Sequence, residues 1–516
     1  MTSMERRRHC WECLRRSLVC DSTRPTCSRC SSSGTQCPGY GHVKPQRLRW
    51  LSPGAVKSRK KRSKEIEPLH VPSPSVTPRF QLTTELCAVF QAAQYFNTCI
   101  YQDLIPVSHL GKNQYIYLIS PAQIQNATHA PDYLRLGMVC MTLSHRVNRL
   151  GADPGSRTLV ERFYSYRGTA LRSLREHLDH EPHRATDLAV VGVLTLLLTE
   201  IQHSLTPVWR PHLDAARKLL NLRGGFHALA GSPSLEGPML SLWYMAIISN
   251  TTSPSSCLSM TSSHLASIEF LTEYYANSPT PFQLCPLSLL GEIIRINHLR
   301  MLAFRSGDSD LVLLAEEVRI VLERVKGFSP GLWAGSKSSA KTEWEVVGSA
   351  YQAAVGIYSV LAMQSLGVLP VSGEWSVECE MLARRLKEVL KAGLGSRRVN
   401  RFLLWPLVVL GVRAVDESLE TKSFVGAELE KLSCDIGTCT PLAAKRILET
   451  FWARGGESGW EGCFESQGGY LFTTQIAVDT SRVDVKGTAP VSRENLEKVM
   501  LPPGCQWLVA QKRLSE

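Results

Sequence analysis

The sequence predicts a small metal-built module at the N-terminus, a Pro-rich basic linker and a large all-α body. Three observations carry that division. Six cysteines fall in the first 37 of 516 residues, with one spacing used twice. Prolines at 38, 45, 53, 68, 72, 74 and 78 exclude a long helix between residues 38 and 80, because each removes a backbone donor and clashes with the preceding turn. From about residue 81 apolar residues recur at helical spacing, and strand-like alternation is scarce. The expected boundaries are a module over 1–40, a linker over 41–80, a helical body over 81–455 and a flexible tail over 456–516.

The module is argued from its sulfurs. Cys10-x2-Cys13-x6-Cys20 is followed, after six residues, by Cys27-x2-Cys30-x6-Cys37. A segment of about 30 residues cannot bury enough apolar surface to fold unaided, and metals or disulfides usually take over at that size. Six cysteines pair in about 15 ways as disulfides. The opening MTSMERRRHC carries no apolar stretch of the secretory kind, so a reducing compartment is expected. There, paired CxxC units read as metal ligands. Two such pairs satisfy one tetrahedral zinc and leave Cys20 and Cys37 over. Six thiolates serve two tetrahedral zincs when two of the sulfurs are shared. Zinc is the preferred reading, with disulfides and other metals as its rivals.

The stretch CWECLRRSLVCDSTRPTCSRCSSSGTQCPGY resembles the fungal Zn2Cys6 binuclear cluster of Gal4-type transcription factors. It matches the six-cysteine layout, including a proline (Pro25) in the loop between the halves. By that resemblance Cys10 and Cys27 bridge two Zn2+. Cys13 and Cys20 then complete one site, and Cys30 and Cys37 the other. The resemblance also implies double-stranded DNA as partner, with a CGG-like half-site. Family members often carry lysines where this chain has Ser17 and Val19. Arg16 remains, and arginine can pair bidentately with guanine.

Charge leads to the same partner. Residues 1–64 hold 16 Lys+Arg and 3 Asp+Glu, a formal +13, whereas the rest of the chain holds 42 and 43. Six thiolates on two Zn2+ subtract about two units and leave the segment strongly basic. A localised basic field marks phosphate contact and salt-dependent binding. Arg6, Arg7 and Arg8 suit phosphates, as does Arg29 by the symmetry of the halves. Arg15 and Arg16, with Ser17 beside them, are the candidates for base contact. Trp11, between two ligands, is expected to shield the metals.

Lys57, Arg59, Lys60, Lys61, Arg62 and Lys64 form a dense run. It reads as a nuclear localisation signal for the import machinery, with supplementary DNA contact as second choice. Four prolines between residues 68 and 78 suggest an extended tether. No heptad repeat spans the linker, so either a homodimer forms through the helical body or the module binds DNA as a monomer.

Within the body, Leu136, Val139, Leu143, Val147 and Leu150 share one helical face, with Asp132 as cap and Gly151 as stop. Leu159 to Leu178 repeats the pattern, and so does Leu311 to Val325, closed by Gly327 and Pro330. His212 to Arg223 makes a further helix, ended by Gly224-Gly225. The segment HLDAARKLLNLRGGFHAL (212–229) resembles the helical regulatory domain of fungal binuclear cluster factors. That resemblance implies control of activity by masking, dimerisation or a bound effector.

Other classes find little support. The longest apolar run, Leu188 to Thr199, has 12 residues, short of the roughly 20 that cross a bilayer. No membrane span is expected. His177, His180 and His183 lack an HExxH arrangement and read as a polar inter-helix loop. Ser338 to Lys341 fits SxxK without companion motifs, and GLWAGSK (331–337) lacks the ending of a phosphate loop. The cysteines outside the module are scattered, as buried thiols are. No enzyme is expected.

The tail is Gly-rich and polar. Glu457, Trp460, Glu461, Phe464 and Glu465 set acids beside aromatics, as activation segments do, although a flexible tail is the plainer reading. The sequence thus points to a zinc-dependent, DNA-binding nuclear transcription factor of fungal type. The alternative is a corepressor or protein-interaction paralogue whose cluster binds DNA without strong sequence preference.

Overall fold

Two short helices form near the N-terminus although five residues are too few to persist alone. The first, α1, spans Trp11–Arg15, and the second, α2, spans Ser28–Ser32. A cysteine starts each one. The Cys13 N–H donates to Cys10 Sγ at 3.3 Å, and the Cys30 N–H donates to Cys27 Sγ at 3.3 Å. Each sulfur thereby satisfies a donor that the helix itself leaves open. The computed structural model describes residues 9–16, 18–40, 84–110, 118–151, 155–203, 209–229, 235–277, 285–305, 310–465 and 470–472. Arg6, Arg7, Arg8, Ser17, the linker with its run from Lys57 to Lys64, and the tail beyond 472 lie outside them. The chain divides into two units, 1–79 and 80–516.

The second unit is helical, with no β-strand among its described residues. Helix Asp132–Leu150 follows Pro131, which takes the cap position expected for Asp132, and stops at Gly151 with φ +58°. It lies against Ser156–Asp179 and Asp187–His203. The latter is buried almost throughout, with Val190, Val191, Leu194 and Leu197 at zero exposure. Gly192 on that helix permits the approach, since a Cβ there would stand 2.7 Å from the Tyr133 ring. The RGG helix spans Arg210–Leu222, and Pro211 sets its first turn.

A second group of helices surrounds Lys341–Gln364, which packs against Glu374–Leu394, Leu404–Arg413, Leu287–Arg305 and Leu311–Gly327. By length and composition Lys341–Gln364 could cross a membrane, a property the run-length argument missed. Its Trp344, Tyr351 and Tyr358 are buried in the body, and 83% of its apolar window is covered. Helix Leu419–Ile436 joins the two groups by packing on Asp132–Leu150. It ends at Gly437 (φ +65°), where a Cβ would fall 2.2 Å from the His145 ring. Glycine is required there both by backbone and by space.

Two further sequence expectations need correction. The histidine-rich stretch is not a plain loop, because Glu181–Arg184 makes a short helical turn and His177 lies 3.3 Å from the Thr186 hydroxyl. More important, the body does not end at 455. Gly459–Phe464 is a helix whose Trp460, Cys463 and Phe464 are buried. Tyr470 exchanges hydrogen bonds with Thr252, its N–H donating at 2.9 Å and its carbonyl accepting at 2.6 Å. The aromatics that resemble an activation segment are core residues. Their burial outweighs the turn-forming glycines around them.

Candidate metal centre and nucleic-acid interface

All six predicted ligands come together. Cys10 Sγ lies 3.7 Å from Cys27 Sγ and 3.7 Å from Cys30 Sγ, and Cys13 Sγ lies 3.7 Å from Cys27 Sγ. Zinc–thiolate bonds of about 2.3 Å in a tetrahedron place neighbouring sulfurs about 3.8 Å apart. The sulfurs sort into two groups of four, Cys10-Cys13-Cys20-Cys27 and Cys10-Cys27-Cys30-Cys37, each with its ligand atoms within 4.8 Å. Cys10 and Cys27 belong to both. The residues therefore fit metal ions held by shared sulfurs.

The chemistry of the sulfurs points the same way. Burial raises the Cys13 thiol to about 12 and lifts Cys10 and Cys30 as well. Thiolates in that setting need a cation beside them. At Cys20 burial also raises the thiol, but hydrogen bonding by Tyr40 and the Cys10 N–H outweighs it and brings it to about 6. The Tyr40 hydroxyl sits 3.4 Å from Cys20 Sγ and 2.9 Å from the Thr23 carbonyl. The Arg24 guanidinium covers the Tyr40 ring at 4.9 Å.

Asp21 organises the entry to α2. It accepts from the Thr23 hydroxyl and from the Ser28 N–H, at 2.5 Å and 3.1 Å. Those bonds hold its carboxyl well below the usual carboxylate range. Trp11 is half-buried, and its backbone N–H donates to the Gly39 carbonyl at 3.2 Å. The end of the module is thereby tied to its beginning.

The basic residues are arranged unequally. Arg15 pairs with Glu12 through two contacts, Nε to Oε2 at 2.9 Å and Nη2 to Oε1. Arg16 crosses to the other half, donating to the Ser33 hydroxyl at 3.3 Å. Arg29 is exposed on α2. Sequence reasoning missed Glu12, Asp21 and Tyr40. Only Glu12 carries a local signal, since residues three apart on a helix are neighbours.

Among the described residues, no other cluster of His, Cys, Asp or Glu is arranged to hold a metal. Cys439 donates to Asn148 at 2.8 Å instead, and the Ser339 hydroxyl donates to the Leu110 carbonyl at 2.9 Å.

Comparison with known proteins adds three findings. The pattern of the fungal specific transcription factor domain matches residues 91–473. The chain is also similar to the phomenoic acid biosynthesis cluster-specific transcriptional regulator of Leptosphaeria maculans. The two are 40% identical over 486 residues, covering 94% of this chain and 92% of that protein. No solved structure matches this chain.

Proposed function

This chain belongs to the family of the fungal specific transcription factor domain, and from that premise we propose how it regulates transcription. It is a transcription regulator and not an enzyme. Its N-terminal module binds double-stranded DNA and depends on two Zn2+. Cys10, Cys13, Cys20 and Cys27 hold one ion, and Cys10, Cys27, Cys30 and Cys37 hold the other. The single observation that carries this reading is that the two sulfur groups share Cys10 and Cys27.

Zinc supplies the cross-link that a core of this size cannot. The chain's own residues do the rest. Arg15 lies on α1 and Arg29 on α2, so a single scaffold sets their separation. Arg6, Arg7 and Arg8 add phosphate contacts that position without specifying sequence. The Lys57 to Lys64 run serves nuclear import. The body, from residue 84 to 472, regulates the module and is the candidate surface for a homodimer. Likeness along nearly the whole chain to a regulator named for one biosynthesis cluster supports a pathway-specific role.

Selection of random duplexes by the zinc-loaded chain at physiological salt tests this reading. Enrichment of a short motif supports it, and the number of half-sites reports on dimerisation. Salt-sensitive retention with no motif would replace sequence reading by general phosphate binding.

A further inference from the structure

We propose that Glu12 is a positioning residue for base reading, presenting Arg15 to a guanine edge and withholding it from phosphate. This inference rests on the DNA-binding reading above. Glu12 is 7% exposed, whereas the Arg15 side chain is 49% exposed. The carboxylate is thus fixed within the module while the guanidinium extends outward. Nε and Nη2 of Arg15 face the two carboxylate oxygens of Glu12. That pair occupies one edge of the planar fork.

The opposite edge, formed by Nη1 and the second Nη2 hydrogen, keeps two N–H groups side by side. Among the described residues no hydrogen bond of Arg15 uses Nη1. Two parallel donors match O6 and N7 of guanine in the major groove. An unrestrained arginine would sample many rotamers and accept any phosphate. A fixed carboxylate beside it narrows the rotamers and repels phosphate, so a neutral base edge becomes the better partner. Arg16 has a different task, since it spans to Ser33, the residue that follows α2. Without lysine at Ser17 or Val19, Arg15 is the cation on α1 whose direction is preset.

The full-length, zinc-loaded wild type, Glu12→Gln and Arg15→Lys are taken through random-duplex selection, with zinc content measured on each. The wild type should enrich a motif containing guanine. Both variants should lose about ten-fold in preference at one guanine position and keep the others. Glu12→Gln should bind unrelated duplex as well as the wild type or better, because an acidic group has left the interface. A module damaged in general would instead lose preference at every position. Arg15 is exposed, so Arg15→Lys leaves the sulfurs untouched and carries the same test should Glu12→Gln lose zinc. Unchanged guanine preference in Arg15→Lys, or in zinc-loaded Glu12→Gln, overturns this inference alone. A wild type that enriches no motif overturns this inference and the sequence-specific reading together.

Discussion

Arg300, fully buried in the body, is neutralised by Glu461, a residue 161 positions further along the chain. Nε of Arg300 donates to Glu461 Oε1 at 3.1 Å, and Nη2 makes a second contact to the same carboxylate. The remaining donors are also met. Nη1 reaches the Asn250 carbonyl at 2.8 Å and the Tyr358 hydroxyl at 3.1 Å, and Nη2 reaches the Ser253 carbonyl at 2.7 Å. Glu461 in turn accepts from the Ser255 N–H and hydroxyl, at 2.7 Å and 2.9 Å. A buried cation is tolerated because both its charge and its hydrogen bonds are answered.

Glu461→Gln removes that charge and leaves Arg300 unpaired. Breaking a buried pair costs about 3–5 kcal/mol. Denaturant unfolding should register a loss of that order, and removal of residues 456–516 should cost at least as much. A Glu461→Gln chain as stable as the wild type would mean that Arg300 is held by its carbonyl partners alone.

Acid should weaken the body through one buried histidine, His264, and two half-buried ones, His203 and His212. Burial lowers His264 to about 4, and His203 and His212 to about 4 as well. In the unfolded chain histidine titrates near 6.5. Between those values the unfolded state binds more protons than the folded state, so stability falls as pH falls. The loss begins near pH 6.5 and levels off below about 4. Between pH 7 and pH 5, His264 alone accounts for about 2 kcal/mol. His264→Gln should therefore flatten the decline by that amount in urea unfolding followed across this range, while an unchanged slope would exclude His264 as a contributor.

Zinc stoichiometry separates shared sulfurs from terminal ones. Cys10 lies in both groups of four, whereas Cys37 lies in one. Cys10→Ser should lose both metals and all duplex binding, because metal binding and folding are one process in such modules. Cys37→Ser should be milder, retaining part of its zinc. Metal analysis beside a duplex-binding titration decides the matter. Two zincs and full affinity in Cys10→Ser would refute the shared-sulfur scheme.

Arg29 should behave as a phosphate contact. Arg29→Gln is expected to weaken binding to all duplexes alike and to reduce the slope of log K against log salt by about 1. Loss confined to one sequence would assign Arg29 to base reading instead.

Much of this architecture is legible in the sequence wherever the signal is local. The cysteine spacing announces a six-sulfur metal cluster within one short segment, while the choice of Cys10 and Cys27 as the shared pair is what the resemblance to the binuclear cluster implies. Leu136, Val139 and Leu143 disclose their helix through period, and Gly151 marks its end. The region around Trp460 does not yield to such reasoning. Its helix is six residues long, its flanks are glycine-rich, and the partner of Glu461 sits 161 residues upstream. Nothing local distinguishes an aromatic waiting for a core from one exposed for a partner. Glu12 is an opposite case. Its spacing to Arg15 is plain, yet only the burial of its carboxylate reveals a fixed support and not a casual surface pair.

The dependence of Arg300 on Glu461 also sets an order of events during synthesis. At about 5–20 residues per second, the ribosome makes Glu461 on the order of 10–30 s after Arg300. The helices Lys341–Gln364, Glu374–Leu394 and Leu404–Arg413 are made within that interval, while the charge of Arg300 still lacks its carboxylate. Tyr470, which pairs with Thr252, arrives later still. The core around Arg300 is therefore completed only as the last described segment of the chain emerges.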